Sequence, residues 1–485
     1  MAVSDKERQI WSVMKSRILS CLALGAFLFS APLPGFAEDI TNEVQNVRTE
    51  TWRARQAEGA AEKSQEKAAT DKFRTGVTYE DILKDPDNIE LNARYAQEQI
   101  ARGELLSAAA TLERILMVNP NLADVRLLYA VVLYRLDSLN EAQKELDALR
   151  TVTLPPTIRE QVTAYEKKIK QRKRRTHLGL RQSVGWGYDT NRNAAPSSKF
   201  QLVNDVAQDL IGSNNRRADT HFLNISSLDV SHDLGFQAGH SVFGNFTYFL
   251  QEQTNVNSLD LGSFQYELGG TYKSKYFDFT PSFIASHIFL SSESFLRTQG
   301  GNFLLERNLT KKLRGFYNFR IERQDYLNIS ENTNSYDNKG PEFSNFWGAS
   351  YIIIPTMKWT SSIGYADKKA KQNYNAYQRL SLNNTHTWIL PKGQFLINAL
   401  NVNFDNYESP EISVAGVVRH DKSLRYRVTY GTPLTTIFFG KLLPKPLKDI
   451  VFTGSYEFYR ALSNITNYSY TNSKFEMILT KRLEF

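Results

Sequence analysis

Cysteine is all but absent: Cys21 is the only one in 485 residues. It lies in a stretch that reads as a cleaved leader, so the mature chain would hold neither a disulfide nor a thiolate metal site. Only "SRILS" separates Cys21 from Lys15, too short an apolar lead for a lipidation signal. Long apolar runs are scarce too. With 41% hydrophobic residues and a mean hydropathy of −0.43, a bundle of membrane helices is excluded. The one long run, "ILSCLALGAFLFSAPLPGFA", follows Lys15 and Arg17 and closes on the small residues Gly35 and Ala37. That pattern predicts a secretory signal over residues 1–37, and Pro32 and Pro34 argue against an anchor helix that persists.

Catalytic and metal-binding patterns are missing as well. The seven histidines (177, 221, 232, 240, 287, 386, 420) are scattered, with no H-E-x-x-H or other ligand spacing. "DTNRN" supplies Asp189, Asn191 and Asn193 like the start of a calcium loop. Ala194 then replaces the required glycine, and Phe200 stands where the bidentate glutamate belongs. There is no G-x-S-x-G elbow, and "GTPLTTIFFGK" has the wrong spacing for a phosphate loop. The reading is of a protein that is not an enzyme, with no cofactor and no metal.

What is present falls into three stretches after the leader. Residues 38–75 are rich in Glu, Ala, Gln, Lys and Arg, with few large apolar groups, and read as a charged tether. Residues 76–175 read as helical and contain a repeat. Tyr95 and Tyr129, Ala96 and Ala130, Ala108 and Ala142, Leu112 and Leu146, and Pro86 and Pro120 are each 34 residues apart. Thirty-four is the tetratricopeptide period, each unit being two antiparallel helices; "PPTIREQVTAYEKKI" reads as a partial third unit that caps the stack. The stretch ends in "KKIKQRKRR" (Lys167–Arg175), with seven positive charges and no negative one, a large part of the net +8. Behind a signal peptide such a run fits anionic lipid head groups rather than nucleic acid; the plainer alternative is the solvated end of a helix.

At Thr176 helical spacing gives way to alternation of period 2. In "FQYELGGTY", Phe264, Tyr266, Leu268 and Tyr272 oppose Gln265, Glu267, Gly269 and Thr271. In "LRGFYNFRIERQ", Leu313, Tyr317, Phe319 and Ile321 oppose Arg314, Asn318, Arg320, Glu322 and Gln324. In "LRYRVTY", Leu424, Tyr426, Val428 and Tyr430 oppose Arg425, Arg427 and Thr429. An apolar outside and a charged inside reverse the order of a soluble barrel, and lipid as the outer solvent explains it. Segments of this kind begin near 176, 218, 238, 257, 276, 294, 312, 340, 357, 374, 393, 420, 448 and 470. The expected fold is therefore α plus transmembrane β: a periplasmic helical domain followed by an antiparallel outer-membrane β-barrel of about fourteen strands over 176–485. Short connections ("KSK", "LTKK", "IPTMK", "LPKG") alternate with long polar ones, as periplasmic turns alternate with external loops. "GTPLTTIFFGKLLPKPLKD" breaks the rhythm, being long and partly apolar where a short turn belongs.

The chain ends in "FEMILTKRLEF". Phe475, Met477, Leu479, Leu483 and Phe485 share one side, which only Lys481 interrupts; Ile478 interrupts the other. This is the amphipathic closing strand, with a terminal aromatic, that barrel-assembly machinery reads. The inward row Arg314, Asn318, Arg320, Glu322 and Gln324, with Arg425 and Arg427, is the candidate functional lining of the lumen.

A secretion signal, a short tetratricopeptide domain and a barrel of about fourteen strands together resemble one family, the surface lipoprotein assembly modulators. The most specific stretch is "GWGYDTNRNAAP", Gly185 to Pro196, similar to the opening of that family's barrel domain. The resemblance implies an outer-membrane translocon or assembly factor that moves lipoproteins or related protein cargo to the cell surface, with periplasmic chaperones and outer-membrane lipid as partners. The alternatives are an exopolysaccharide exporter on a tetratricopeptide scaffold and a passive porin.

Overall fold

The computed structural model describes residues 75–485 apart from 153, 237, 331 and 438–442. The expected signal and nearly all of the expected tether lie outside the described residues. The rest divides into two compact units between His177 and Leu178.

The first unit is helical: α1 Tyr79–Lys84, α2 Ile89–Arg102, α3 Leu105–Val118, α4 Ala123–Arg135, α5 Leu139–Arg150 and α6 Pro156–Arg172. The starts of α2 and α4, and those of α3 and α5, are 34 residues apart, so the sequence repeat is a repeat of helical hairpins. Its small residues sit where helices meet: Ala96, Ala108, Ala130 and Ala142 are all buried, with Leu112 and Leu146 beside them. A methyl side chain there lets the axes approach closely. Local signals set the ends. Asn88 Oδ1 accepts the Leu91 N–H at 3.0 Å to cap α2, and Gly103, at φ 80°, ends it in the left-handed conformation. The helix α6 buries Val162 and Ile169 against Leu146 and Leu149 of α5.

The second unit is a closed barrel. Its strands are β1 Thr176–Asp189, then, after a small hairpin of β2 Phe200–Val203 and β3 Val206–Asp209, β4 Asp219–Asp233, β5 Ser241–Gln253, β6 Leu261–Lys273, β7 Asp278–Leu290, β8 Glu293–Asn308 and β9 Leu313–Tyr326. There follow β10 Gly340–Ile354, β11 Met357–Lys368, β12 Tyr377–Ile389, β13 Phe395–Tyr407, β14 His420–Pro433, β15 Ile450–Ser463 and β16 Tyr470–Glu484. Fourteen of these form one antiparallel sheet in sequence order, closed by β1 lying between β16 and β4. The strands of 12 to 16 residues exceed the 9–11 or so that a tilted strand needs to cross hydrocarbon.

Which face meets lipid is settled by exposure. Leu268 on β6 is 62% exposed while Gln265, on the opposite face of the same strand, is 3% exposed, and Trp186, Phe283, Ile363 and Met477 are likewise more than half exposed on their strands. In water an apolar belt of this size would be an aggregation surface; in a bilayer it is what the solvent requires. The barrel has a proximal end, where β1 begins and β16 stops, and a distal end opposite. Proximal turns are short except for the connection 434–449, which the sequence also marked as anomalous. There a single turn of helix, α7 Leu434–Ile437, follows β14 directly; residues 438–442 of that segment lie outside the described residues. The long connections 190–218, 327–339 and 408–419 are all distal. The first contains the β2–β3 hairpin, which strand alternation in the sequence did not mark.

Candidate functional site: a lumen filled at one end

Along most strands inward side chains change character with height. On β6 the distal inward residues Leu261, Ser263 and Gln265 are buried, whereas Glu267 and Thr271 are half-buried. On β9 the distal Tyr326, Gln324 and Glu322 are buried, and Arg320, Asn318 and Arg314 below them are half-buried. The lumen is thus filled distally and more open to solvent toward its proximal end, although Phe395 and Ile397 at the proximal end of β13 are buried against Val451 and Arg181 and Ser183 of β1 are buried as well.

Two kinds of packing fill the distal half. Over β4 to β9 the filling is apolar: Leu223, Phe249, Leu261, Ile288, Leu290, Leu296 and Tyr326 point inward and meet Val256, Leu259 and Ile329 from the connections, none more than 8% exposed. Over β12 to β16 it is a tyrosine–arginine assembly. Arg379 donates to both Asp405 oxygens at 2.6 and 2.7 Å. Arg419 stacks on Tyr407 and Tyr468, 4.3 and 3.6 Å from the ring centroids, and donates to Asp421 at 2.7 Å. Tyr468 donates to Glu411 at 2.8 Å. Burial pushes the Glu411 carboxyl above its ordinary range, although the Tyr468 and Ser413 hydroxyls and Arg419 favour its charged form.

A lid covers this half. The β2–β3 hairpin is tied by its backbone to connection 408–419 (Asn204 N–H to the Ser413 carbonyl, 2.9 Å; Asp205 N–H to the Val414 carbonyl, 3.0 Å). Asn467 brackets Leu202 on the other side, accepting its N–H at 2.6 Å and donating to its carbonyl at 2.9 Å. The "DTNRN" residues hold the approach to this lid. Asn191 accepts the Ala195 N–H (3.0 Å) and donates to its carbonyl (2.9 Å). Asn193 donates to the Ser213 and Asn215 carbonyls and accepts the Arg217 N–H. Arg192 donates to the Leu259 carbonyl at 2.9 Å. Both amide oxygens thus accept backbone N–H groups within the same connection.

The seven residues singled out in the sequence all lie on the inward face, but on two separate walls. Arg314 sits near the proximal rim, 2.9 Å from both Asp278 and Glu306. Arg320 pairs with Glu322, and Gln324 donates to Glu342 at 3.2 Å. Across the lumen Arg425 pairs with Glu457 at 2.5 Å, and Arg427 bridges Glu457 (3.4 Å) and Glu476 (2.7 Å). Asn318 stands half-buried on β9 above Arg314. These charges are paired along the wall rather than arranged as a one-sign ladder. Between the two walls runs a neutral row: Asn383 donates to Ser362, Asn401 to Asn383, and Asn403 to Asn401 and Ser423.

Sequence reasoning missed His221 and Glu476. Inward aromatic rings take up the side-chain space beside glycines of a neighbouring strand at four places: Phe243 at Gly269, Phe316 at Gly348, Phe346 at Gly364 and Phe395 at Gly431. The fifth such ring is His221, over Gly187, and beyond it lies Glu476, 3.6 Å away on β16. The signal in the sequence was the alternating "GWG" of β1.

No family model matches the chain, and no curated protein matches it. Among solved structures, the Acinetobacter baumannii outer membrane channel DcaP aligns with 64% of this chain and 97% of its own at 9% identity and a TM-score of 0.37. OccAB3 of the same organism covers 64% and 99% at 10% identity with a TM-score of 0.32, and Pseudomonas aeruginosa OprD covers 64% and 95% at 10% identity with a TM-score of 0.32. At these values the likeness says nothing of what this chain carries; the barrel rests on its own strand order and lipid-facing belt.

Proposed function

We propose that the chain is a bacterial outer-membrane conduit for protein cargo, surface lipoproteins or similar, with the helical unit and the short turns on the periplasmic side. The observation that carries this reading is the lumen, filled distally and more open proximally. A passive porin needs a continuous aqueous path, whereas a conduit that opens only for cargo must be shut at rest. The first and last strands favour a route through the lumen. Their ladder runs over eleven register pairs, from Gly179–Glu484 to Asp189–Lys474, and Ser183 and Thr480 share a hydrogen bond of 2.9 Å. The neutral asparagine row favours a second reading, export of a polysaccharide, since amides hydrogen-bond to hydroxyl groups.

Deleting the gene and comparing proteins shaved from intact cells by protease tests the proposal. Loss of a defined set of surface proteins, with their total abundance kept, is the expected result. An unchanged surface proteome with slowed uptake of small solutes would return the protein to the porins, and loss of surface polysaccharide alone would select the second reading. Topology is checked separately with single cysteines. Thr333→Cys and Val417→Cys, exposed in distal connections, should label on intact cells, and Lys275→Cys, exposed in a proximal turn, should not.

A further inference from the structure

The basic run at the end of α6 does not form a flat strip. Lys167 and Lys170 lie about one turn apart on α6, and with Lys173 and Arg174, which follow its last residue, they line a concavity of about 530 Å³ against Arg150 of α5. The volume falls in the range of ligand clefts, about 300–1,000 Å³. Arg150 donates to Glu166 Oε2 at 2.6 Å, so one cation is spent on the single carboxylate of the lining. Among the described residues no carboxylate lies within ion-pair distance of Lys167, Lys170, Lys173 or Arg174. The other oxygen of that carboxylate, Glu166 Oε1, is buried and has no hydrogen-bond partner among the described residues.

The lysine row constrains the ligand. It calls for negative charge, and lysines, as point charges on flexible stems, accept it without fixed geometry. A single phosphate head group meets one or two of these cations, whereas an extended acidic peptide sets successive carboxylates along the row. We infer that the groove between α5 and α6 binds an acidic polypeptide segment, its carboxylates on Lys167, Lys170 and Lys173. Identifying that segment with cargo rests on the conduit reading; the groove's affinity for it does not.

The test uses the mature chain in phosphatidylcholine nanodiscs and a fluorescein-labelled nonapeptide of alternating Glu and Ser, read by anisotropy. Binding should weaken with salt and fall about tenfold or more in Lys170→Glu/Lys173→Glu. Both positions are exposed, and an unchanged heat-modifiable band confirms that the barrel is intact. Peptide binding indifferent to the double charge reversal would overturn the inference. So would phosphatidylglycerol vesicles binding more tightly than the peptide through the same lysines, which would make the face a membrane contact. Neither result depends on whether deletion strains lose surface proteins, so groove and conduit stand or fall separately.

Discussion

Gly187 on β1 leaves the space in which the imidazole of His221, from β4, lies against Glu476 of β16. A Cβ at that glycine would land on the ring and come within 2.9 Å of the Phe475 carbonyl oxygen. One missing side chain thus lets residues of two strands meet across a third at the point where the barrel closes. Gly187→Val should cost about 1–3 kcal/mol through overpacking, seen as a lower temperature for loss of the heat-modifiable band. Adding His221→Ala should restore part of it, because the ring is the larger obstacle. Equal stability of the single and double variants would show that the ring is not what the glycine accommodates.

The lid should be what limits conductance. Asp205 accepts the Gly416 N–H through both oxygens at 3.0 Å, and Asn467 makes two hydrogen bonds to Leu202. Asp205→Ala with Asn467→Ala removes about 1 kcal/mol at each site without touching a lipid-facing residue. In planar bilayers the parent protein should show small, rare openings and the double variant more frequent ones. Large steady conductance in the parent would mean that the distal filling does not close the lumen.

Acidity should tighten the lid. The Glu411 carboxyl has a raised pKa because burial penalises its charge, Asp337 adding to the effect, so the ordered loop holds this proton more firmly than a released loop does. Order is then favoured below the ordinary glutamate value of about 4.3 and weakens as pH rises through the raised one. Hydrogen exchange over 408–419, corrected for intrinsic rates, should show protection falling with pH across that window. Glu411→Gln should flatten the trend. Protection that rises with pH would contradict the assigned direction.

Much of this barrel could be read from alternation alone. All fourteen expected starts fall within four residues of the observed ones, the largest offset being β6, 257 against 261. Lipid imposes a strict outward pattern, and a slip of one residue would turn every strand inside out. Even the two exceptions in the last strand have causes: Lys481 reaches the Pro446 carbonyl at 2.7 Å, and Ile478 turns inward against the apolar filling. That filling was not legible, because Leu223 or Ile288 on an inward position looks like a lapse in the pattern until its partners from other strands are known. The lid was hidden for the same reason. Leu202 and Asn467 are 265 residues apart, and nothing local in either announces the other.

The inward arginines are the residues whose role most needs separating from structure. Glu476 is 7% exposed and is met by Arg427 at 2.7 Å and Lys474 at 3.0 Å. Neutralising Arg427 removes one partner from a buried carboxylate and weakens the hold on Glu457, a loss on the order of 3 kcal/mol. Arg427→Gln should therefore lower the urea midpoint of the barrel in detergent. Arg427→Gln with Glu476→Gln should recover most of it, since neither charge is then left alone. An additive loss in the double variant would show that the two do not act as a pair. With stability restored, the double variant also isolates function. If display of surface proteins persists, these charges serve the wall; if display fails in a barrel as stable as the parent, they meet what passes through it.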